Sequence, residues 1–93
     1  MDREHIMNVF VKHFKANVDV PDDFVINPEL SAMDQGAESL DLVEIVSASM
    51  RELKIKVPRT KLRDLKNINE LVDLFYAVSL EGSTAGPETR GAS

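Results

Sequence analysis

Apolar residues near the start of the chain recur at helical spacing: Ile6, Val9, Phe10 and Phe14 fall three or four positions apart, with Arg3, Glu4, Lys12 and Lys15 between them. This period predicts an amphipathic helix from Asp2 to Ala16. It stops between Asn17 and Ala37, where Pro21, Pro28, Gly36 and several Asp and Asn residues intervene. Phe24, Val25, Ile26, Leu30 and Met33 are too apolar for a solvated linker, so this segment is expected to pack onto the core as a long structured loop. A loop of that length inside a small domain suggests function.

Helical spacing resumes from Ser39 to Leu53. At about 100° per residue, Leu42, Val46, Ser49 and Leu53 share one face, flanked by Val43, Ile45 and Met50. Leu40, Glu44, Ser47 and Arg51 fall on the opposite face, which places Leu40 in water one turn from a carboxylate. Pro58 lacks an amide proton and biases Val57 towards extended geometry, so no helix runs on through "KIKVPRTK". A short helical piece from Pro58 to about Asp64 is expected, with proline in its first turn. Asn67 followed three residues later by Glu70 has the spacing of a capping pair, and Ile68, Leu71, Leu74, Phe75 and Val78 complete a last amphipathic helix.

Apart from the brief "KIKV" there is no alternating pattern, so the fold class is all-α: a four-helix bundle with three main helices, a short third one, and a long loop between the first two. Ile6, Phe10, Phe14, Leu42, Val46, Leu53, Leu71 and Phe75 form the expected core. Residues 1–80 are read as one domain, and 81–93, "EGSTAGPETRGAS", as a disordered tail of small and polar residues.

At 93 residues the chain has room for one small core and little for a private, deep active site. It contains no cysteine, so neither disulfides nor thiolate metal sites support the fold, which suits a reducing cytoplasm. No apolar run approaches the roughly 20 residues of a membrane span, and "MDREHIMNVF" has no basic stretch followed by an apolar one, so neither export nor membrane insertion is expected. The net charge of −5 conceals two regions of opposite sign. Residues 1–50 carry ten acidic and three basic side chains, whereas 51–66 carry seven basic and two acidic. Such polarity acts through the steering of partners more than through the fold. The basic run lacks the interleaved aromatics and overall positive charge of a nucleic-acid binder.

The stretch "DQGAESLDLVEIV" sets one serine between a turn glycine and an apolar run. By position alone, Ser39 reads as a helix N-cap, although Leu42 three residues later gives no reciprocal capping box. As a nucleophile it would need a base, yet the two histidines, His5 and His13, lie on the first helix and no Gly-x-Ser-x-Gly elbow surrounds it. Modification by another enzyme needs only an exposed hydroxyl at a recognisable helix end, and a phosphate ester there would gain from the helix dipole.

This stretch, with the helix after it and "INELVDLF" near the end, resembles the acyl carrier proteins and, more distantly, peptidyl carrier domains. Asp34, Gly36, Ala37, Ser39, Leu40 and Asp41 match the family motif, and the pattern extends from about Ile6 to Val78. The resemblance implies an acyl-carrier bundle that is not an enzyme. Ser39 would carry 4'-phosphopantetheine, transferred from coenzyme A by a phosphopantetheinyl transferase, and its thiol would hold an acyl group as a thioester. Partners would be the enzymes that load and use that group in fatty-acid, polyketide or related specialised biosynthesis, with the carrier a cytoplasmic, free-standing monomer.

Carried over by position, Asp41, Glu44 and Glu52 would meet basic patches on partner enzymes, and Leu40 would enter an apolar recess. A peptidyl carrier, or a helical docking module that only borrows the fold, remain the alternatives. "GAESLD" leans towards acyl carriers, since peptidyl carriers more often have Gly-Gly-x-Ser.

Four departures from the family pattern stand out. Glu38 replaces an Asp before the serine, and Gln35 replaces a Leu whose loop-anchoring contact Met33 is expected to remake. Ser49 occupies a core position usually filled by a larger apolar residue, which predicts a local cavity or an altered acyl pocket. Arg51, Lys54, Lys56, Arg59, Lys61, Arg63 and Lys66 stand where acids are common. The last departure suggests a dedicated carrier with a partner that is acidic near the third helix, contacted by Arg51, Arg59, Lys61 and Arg63.

Overall fold

The structure, a computed structural model, describes residues 2–62 and 64–85. Four helices follow one another: α1 (Arg3–Asn17), α2 (Ser39–Leu53), α3 (Arg59–Leu62) and α4 (Ile68–Ala85), with a 3-10 turn at Met33–Gln35 in the long connection before α2. Among the described residues there is no strand. Ile55 and Val57 of "KIKV" instead turn onto the core, Val57 buried and Ile55 partly so.

Each long helix begins where the sequence supplies an acceptor for its orphan amides. Asp2 caps α1 by accepting from the His5 amide at 2.8 Å. Asn67 Oδ1 accepts from the Glu70 amide at 2.8 Å, and the Glu70 carboxylate reaches back to the Lys66 amide at 2.8 Å. This is the expected reciprocal pair, displaced one residue at its N-terminal end. The last helix continues to Ala85, past Leu80, where the apolar pattern ends. Residues 86–93 of the expected tail lie outside the described residues.

α1 packs against both α2 and α4. Ile6, Phe10 and Phe14 are buried against Ile45, Val46 and Leu53 of α2 and Ile68, Leu71, Val72 and Phe75 of α4. The buried face of α2 is rotated from the expected one: Ile45 is fully buried, whereas Leu42 is only half-buried. α2 is covered by α1 on the Ile45 side, and Leu42 faces the groove described below.

The long loop is tied down at a few points. Phe24 stacks on Phe14 with ring centroids 6.1 Å apart, and Ala32 and Ala37 are buried. The carbonyls of Leu30 and Pro28 accept from the amides of Ile68 and Asn69, at 3.1 and 2.9 Å, so the loop also satisfies the start of α4. Val25, expected in the core, is 84% exposed, and Leu30 and Met33 are also exposed. In an irregular backbone, neighbouring apolar residues need not share a face.

Met33 does not replace the missing leucine. Gln35 itself anchors the loop, its carboxamide accepting from the Asn27 amide at 2.7 Å and donating to the carbonyls of Asn27 and Ser31 at 2.8 and 3.1 Å. Gly36 then turns the chain into α2 at φ 112°, a left-handed conformation that excludes most side chains even though a Cβ would meet only Val18 at 3.6 Å.

Ser49 is 1% exposed, and among the described residues its Oγ has no hydrogen-bond partner. It does not line the groove beside α2. A buried hydroxyl without a partner costs more than it contributes. Ser49→Ala is therefore expected to raise the unfolding free energy by about 1 kcal/mol, read as a higher urea midpoint at unchanged slope.

Candidate functional site

α2 begins one residue earlier in its capping logic than the sequence reading held. Its N-cap is Glu38, with extended backbone (φ −89°, ψ 170°), and Ser39 is the first helical residue. The Asp41 carboxylate, three residues beyond the cap, accepts from the Glu38 amide at 3.1 Å. Counting from Glu38 rather than Ser39 puts Asp41 at the third helical position, so a capping interaction is present here. Ser39 is thus relieved of the structural duty its position suggested. Its side chain is exposed and has no hydrogen-bond partner among the described residues.

Around it, Leu40 is 81% exposed, as expected, and Val43 one turn on is also largely exposed. An apolar pair in water at a helix start, rimmed by the carboxylates of Glu38, Asp41 and Glu44, has the composition of a contact surface. Asp41 is only half-exposed, since one of its oxygens is engaged in the cap, whereas Glu44 is exposed.

Beside this surface runs a groove of about 400 Å³. Leu42, Val46 and Met50 of α2 form one wall, Leu62, Leu65 and Leu71 the other, and Ser47 and Asn67 add polar groups. It lies at the small end of the range for ligand pockets. Its second wall is shared by the end of α3, the segment after it and α4.

Glu52, assigned by position to partner contact, is occupied within the molecule. Its carboxylate lies 2.6 Å from Lys12 Nζ and 2.8 Å from His13 Nε2, both on α1. His13 is thereby held near the far end of α2, about 20 Å along the helix from Ser39 at 1.5 Å per residue. It is no base for that hydroxyl.

Of the basic residues, Arg51, Lys54, Lys56, Lys61 and Lys66 are exposed, and among the described residues none of their side chains forms an ion pair. The side chain of Arg59 and the whole of Arg63 lie outside the described part. The described residues contain no group of acidic, histidine or cysteine side chains able to hold a metal, and no helix long and apolar enough to cross a membrane.

Residues 10–75 match the protein family described as Phosphopantetheine attachment site. The chain belongs to this acyl carrier family. Among its relatives, the polyketide biosynthesis acyl-carrier-protein AcpK of Bacillus subtilis (strain 168) is 32% identical over 76 residues, covering 82% of this chain and 93% of AcpK. Among solved structures, a carrier chain in the crystal structure of the curacin biosynthetic pathway HMG synthase in complex with acetyl donor-ACP superposes with a TM-score of 0.74 at 31% identity. That match covers 83% of this chain and 99% of the other. The chain is accordingly a carrier rather than an enzyme, and its prosthetic group is covalently attached 4'-phosphopantetheine. An exposed hydroxyl with no internal partner, at the dipole-positive start of a long helix, fits that group.

The Lys12 and His13 contacts hold the Glu52 carboxyl below the ordinary carboxylate range, the hydrogen bond from Lys12 first and that from His13 second. A depressed acid contributes stability that is complete above its unfolded value and lost as pH falls through the folded one. Thermal melts are therefore expected to show wild type losing its advantage over Glu52→Gln as the pH drops below the usual carboxylate range, with the advantage intact near neutrality.

Proposed function

We propose that Ser39 is the residue to which 4'-phosphopantetheine is attached, and that the chain is an acyl carrier of polyketide biosynthesis that presents an acetyl group to an HMG-synthase-type enzyme. The observation carrying this reading is the exposed, unbonded Ser39 hydroxyl at the first position of α2, inside both the matched residues and the motif. The recipient is suggested by the acetyl donor-ACP named in the structural match, and the pathway class by AcpK.

When bound, the group supplies a thiol that holds an acyl group as a thioester. The chain's own contribution is presentation. Glu38 and Asp41 start the helix, so Ser39 needs no role in holding it. The first amides of α2 and the helix dipole favour the negative phosphodiester beside Ser39. Leu40 and Val43 offer an apolar footing, and Asp41 and Glu44 bring basic partner surfaces to it, setting encounter rate and register. The groove along α2 shelters the arm's end or its cargo, with Ser47 and Asn67 available to polar groups. Activation of the Ser39 hydroxyl belongs to the phosphopantetheinyl transferase. The carrier acts as a cytoplasmic monomer.

Incubation with coenzyme A and a phosphopantetheinyl transferase is expected to add one prosthetic mass to the wild type and none to Ser39→Ala. Because the cap belongs to Glu38 and Asp41, the same substitution should change stability by less than about 0.5 kcal/mol. A Ser39→Ala protein that still gained the full mass would contradict the assignment.

A further inference from the structure

The outer face of α2 changes sign along its length. Glu38, Asp41 and Glu44 lie at the Ser39 end, while Arg51 and Lys54 lie at the other. At 1.5 Å per residue, Glu44 and Arg51 are about 10 Å apart along the axis and Asp41 and Lys54 about 20 Å. The basic end continues into exposed Lys56, Lys61 and Lys66. Among the described residues the side chains of all five cations are without ion pairs, whereas Lys12 and Arg3, elsewhere on the surface, are both paired with acids. The described part of the fold does not pair the five internally.

Lys54 makes the point independently. It closes α2 in a left-handed conformation (φ 59°, ψ 42°), its amide donating to the Arg51 carbonyl while the Ile55 amide donates to Met50. This bond pair forms a helix-ending turn whose left-handed position usually carries glycine, because a Cβ there is strained. Lys54 is the one non-glycine residue with positive φ among those described. A strained conformation kept at an exposed site points to a task for the side chain it carries.

We infer that Arg51, Lys54, Lys56, Lys61 and Lys66 form a second docking patch for an acidic protein surface on the enzyme that receives the acyl group. This rests on the reading of Ser39 as the arm's anchor and of an HMG synthase as recipient. With one acidic patch alone, a carrier pivots about its contact point. With patches of opposite sign on the same helix, a partner of matching polarity accepts one orientation, because reversal brings like charges together. The patch also discriminates against enzymes that are basic throughout their docking surface. A polyanion such as nucleic acid is disfavoured, since the acidic end of the same face repels it.

The test uses acetyl-loaded full-length protein and the curacin-pathway HMG synthase, comparing wild type with Arg51→Glu/Lys54→Glu/Lys61→Glu and with Lys54→Gly. The triple variant should take up the prosthetic mass as wild type does. Its kcat/KM for acetyl transfer should fall at least tenfold, mainly through KM, and lose most of its dependence on salt. Lys54→Gly should raise Tm while lowering kcat/KM several-fold, which a purely structural role for Lys54 would not do. Acetyl donation by wild type with kcat/KM unchanged in both variants overturns this inference alone. A wild type that gains the arm yet donates no acetyl group overturns the proposed recipient and this inference with it, leaving Ser39 as anchor.

Discussion

The hydrogen bond from the Glu38 amide to the Asp41 carboxylate sets the start of α2, and the chemistry of the site depends on where that start falls. A serine at a helix entrance is ordinarily used by the helix. Were Ser39 the cap, its hydroxyl would be turned inward over the first-turn amides and partly withdrawn from any modifying enzyme. With the cap one residue earlier, the hydroxyl stands at the dipole-positive end of a fifteen-residue helix and has no hydrogen-bond partner among the described residues. Stability and presentation are thus assigned to neighbouring residues, which suits a side chain proposed to be altered by another protein.

The remainder of the fold holds that helix start in position. Gln35 and the left-handed Gly36 bring the long loop to α2 at a fixed angle, and the loop is joined in turn to α4 through the amides of Ile68 and Asn69. On the opposite side, Glu52 ties the far end of α2 to Lys12 and His13 of α1. Exposed ion pairs of this kind each contribute little, roughly 0–1 kcal/mol. Most of the stability comes from the buried contacts of Phe10, Phe14, Ile45 and Phe75, and the polar ties set register.

Much of this was legible in the sequence because it follows from periodicity and local chemistry. The first two long helices are legible to within about a residue of their observed ends, whereas α4 runs past the apolar pattern to Ala85, and the Asn67–Glu70 pair is recognisable from spacing. What escaped were features that depend on which surface a neighbour covers. Ile45 rather than Leu42 is deepest in α2 because α1 lies on that side, a fact that a helical wheel does not contain. Gln35 replaces an apolar anchor with three hydrogen bonds to backbone that is distant in sequence or irregular in path, so no motif announced it. The capping pair is hidden in sequence because Glu38 is a poor cap beside a serine, yet only from Glu38 does Asp41 fall three residues on. Glu52 looks in sequence like one more acid on the second helix, and its pairing with two α1 side chains is not visible from spacing.

The central claim is that one particular serine hydroxyl receives the prosthetic group. Cleavage after basic residues releases a single peptide, 16–51, containing Ser31, Ser39, Ser47 and Ser49, so backbone-fragmentation mass spectrometry of the modified protein can assign the position. The account predicts that the added mass appears only on fragments containing Ser39. Localisation to Ser31, Ser47 or Ser49 would contradict it.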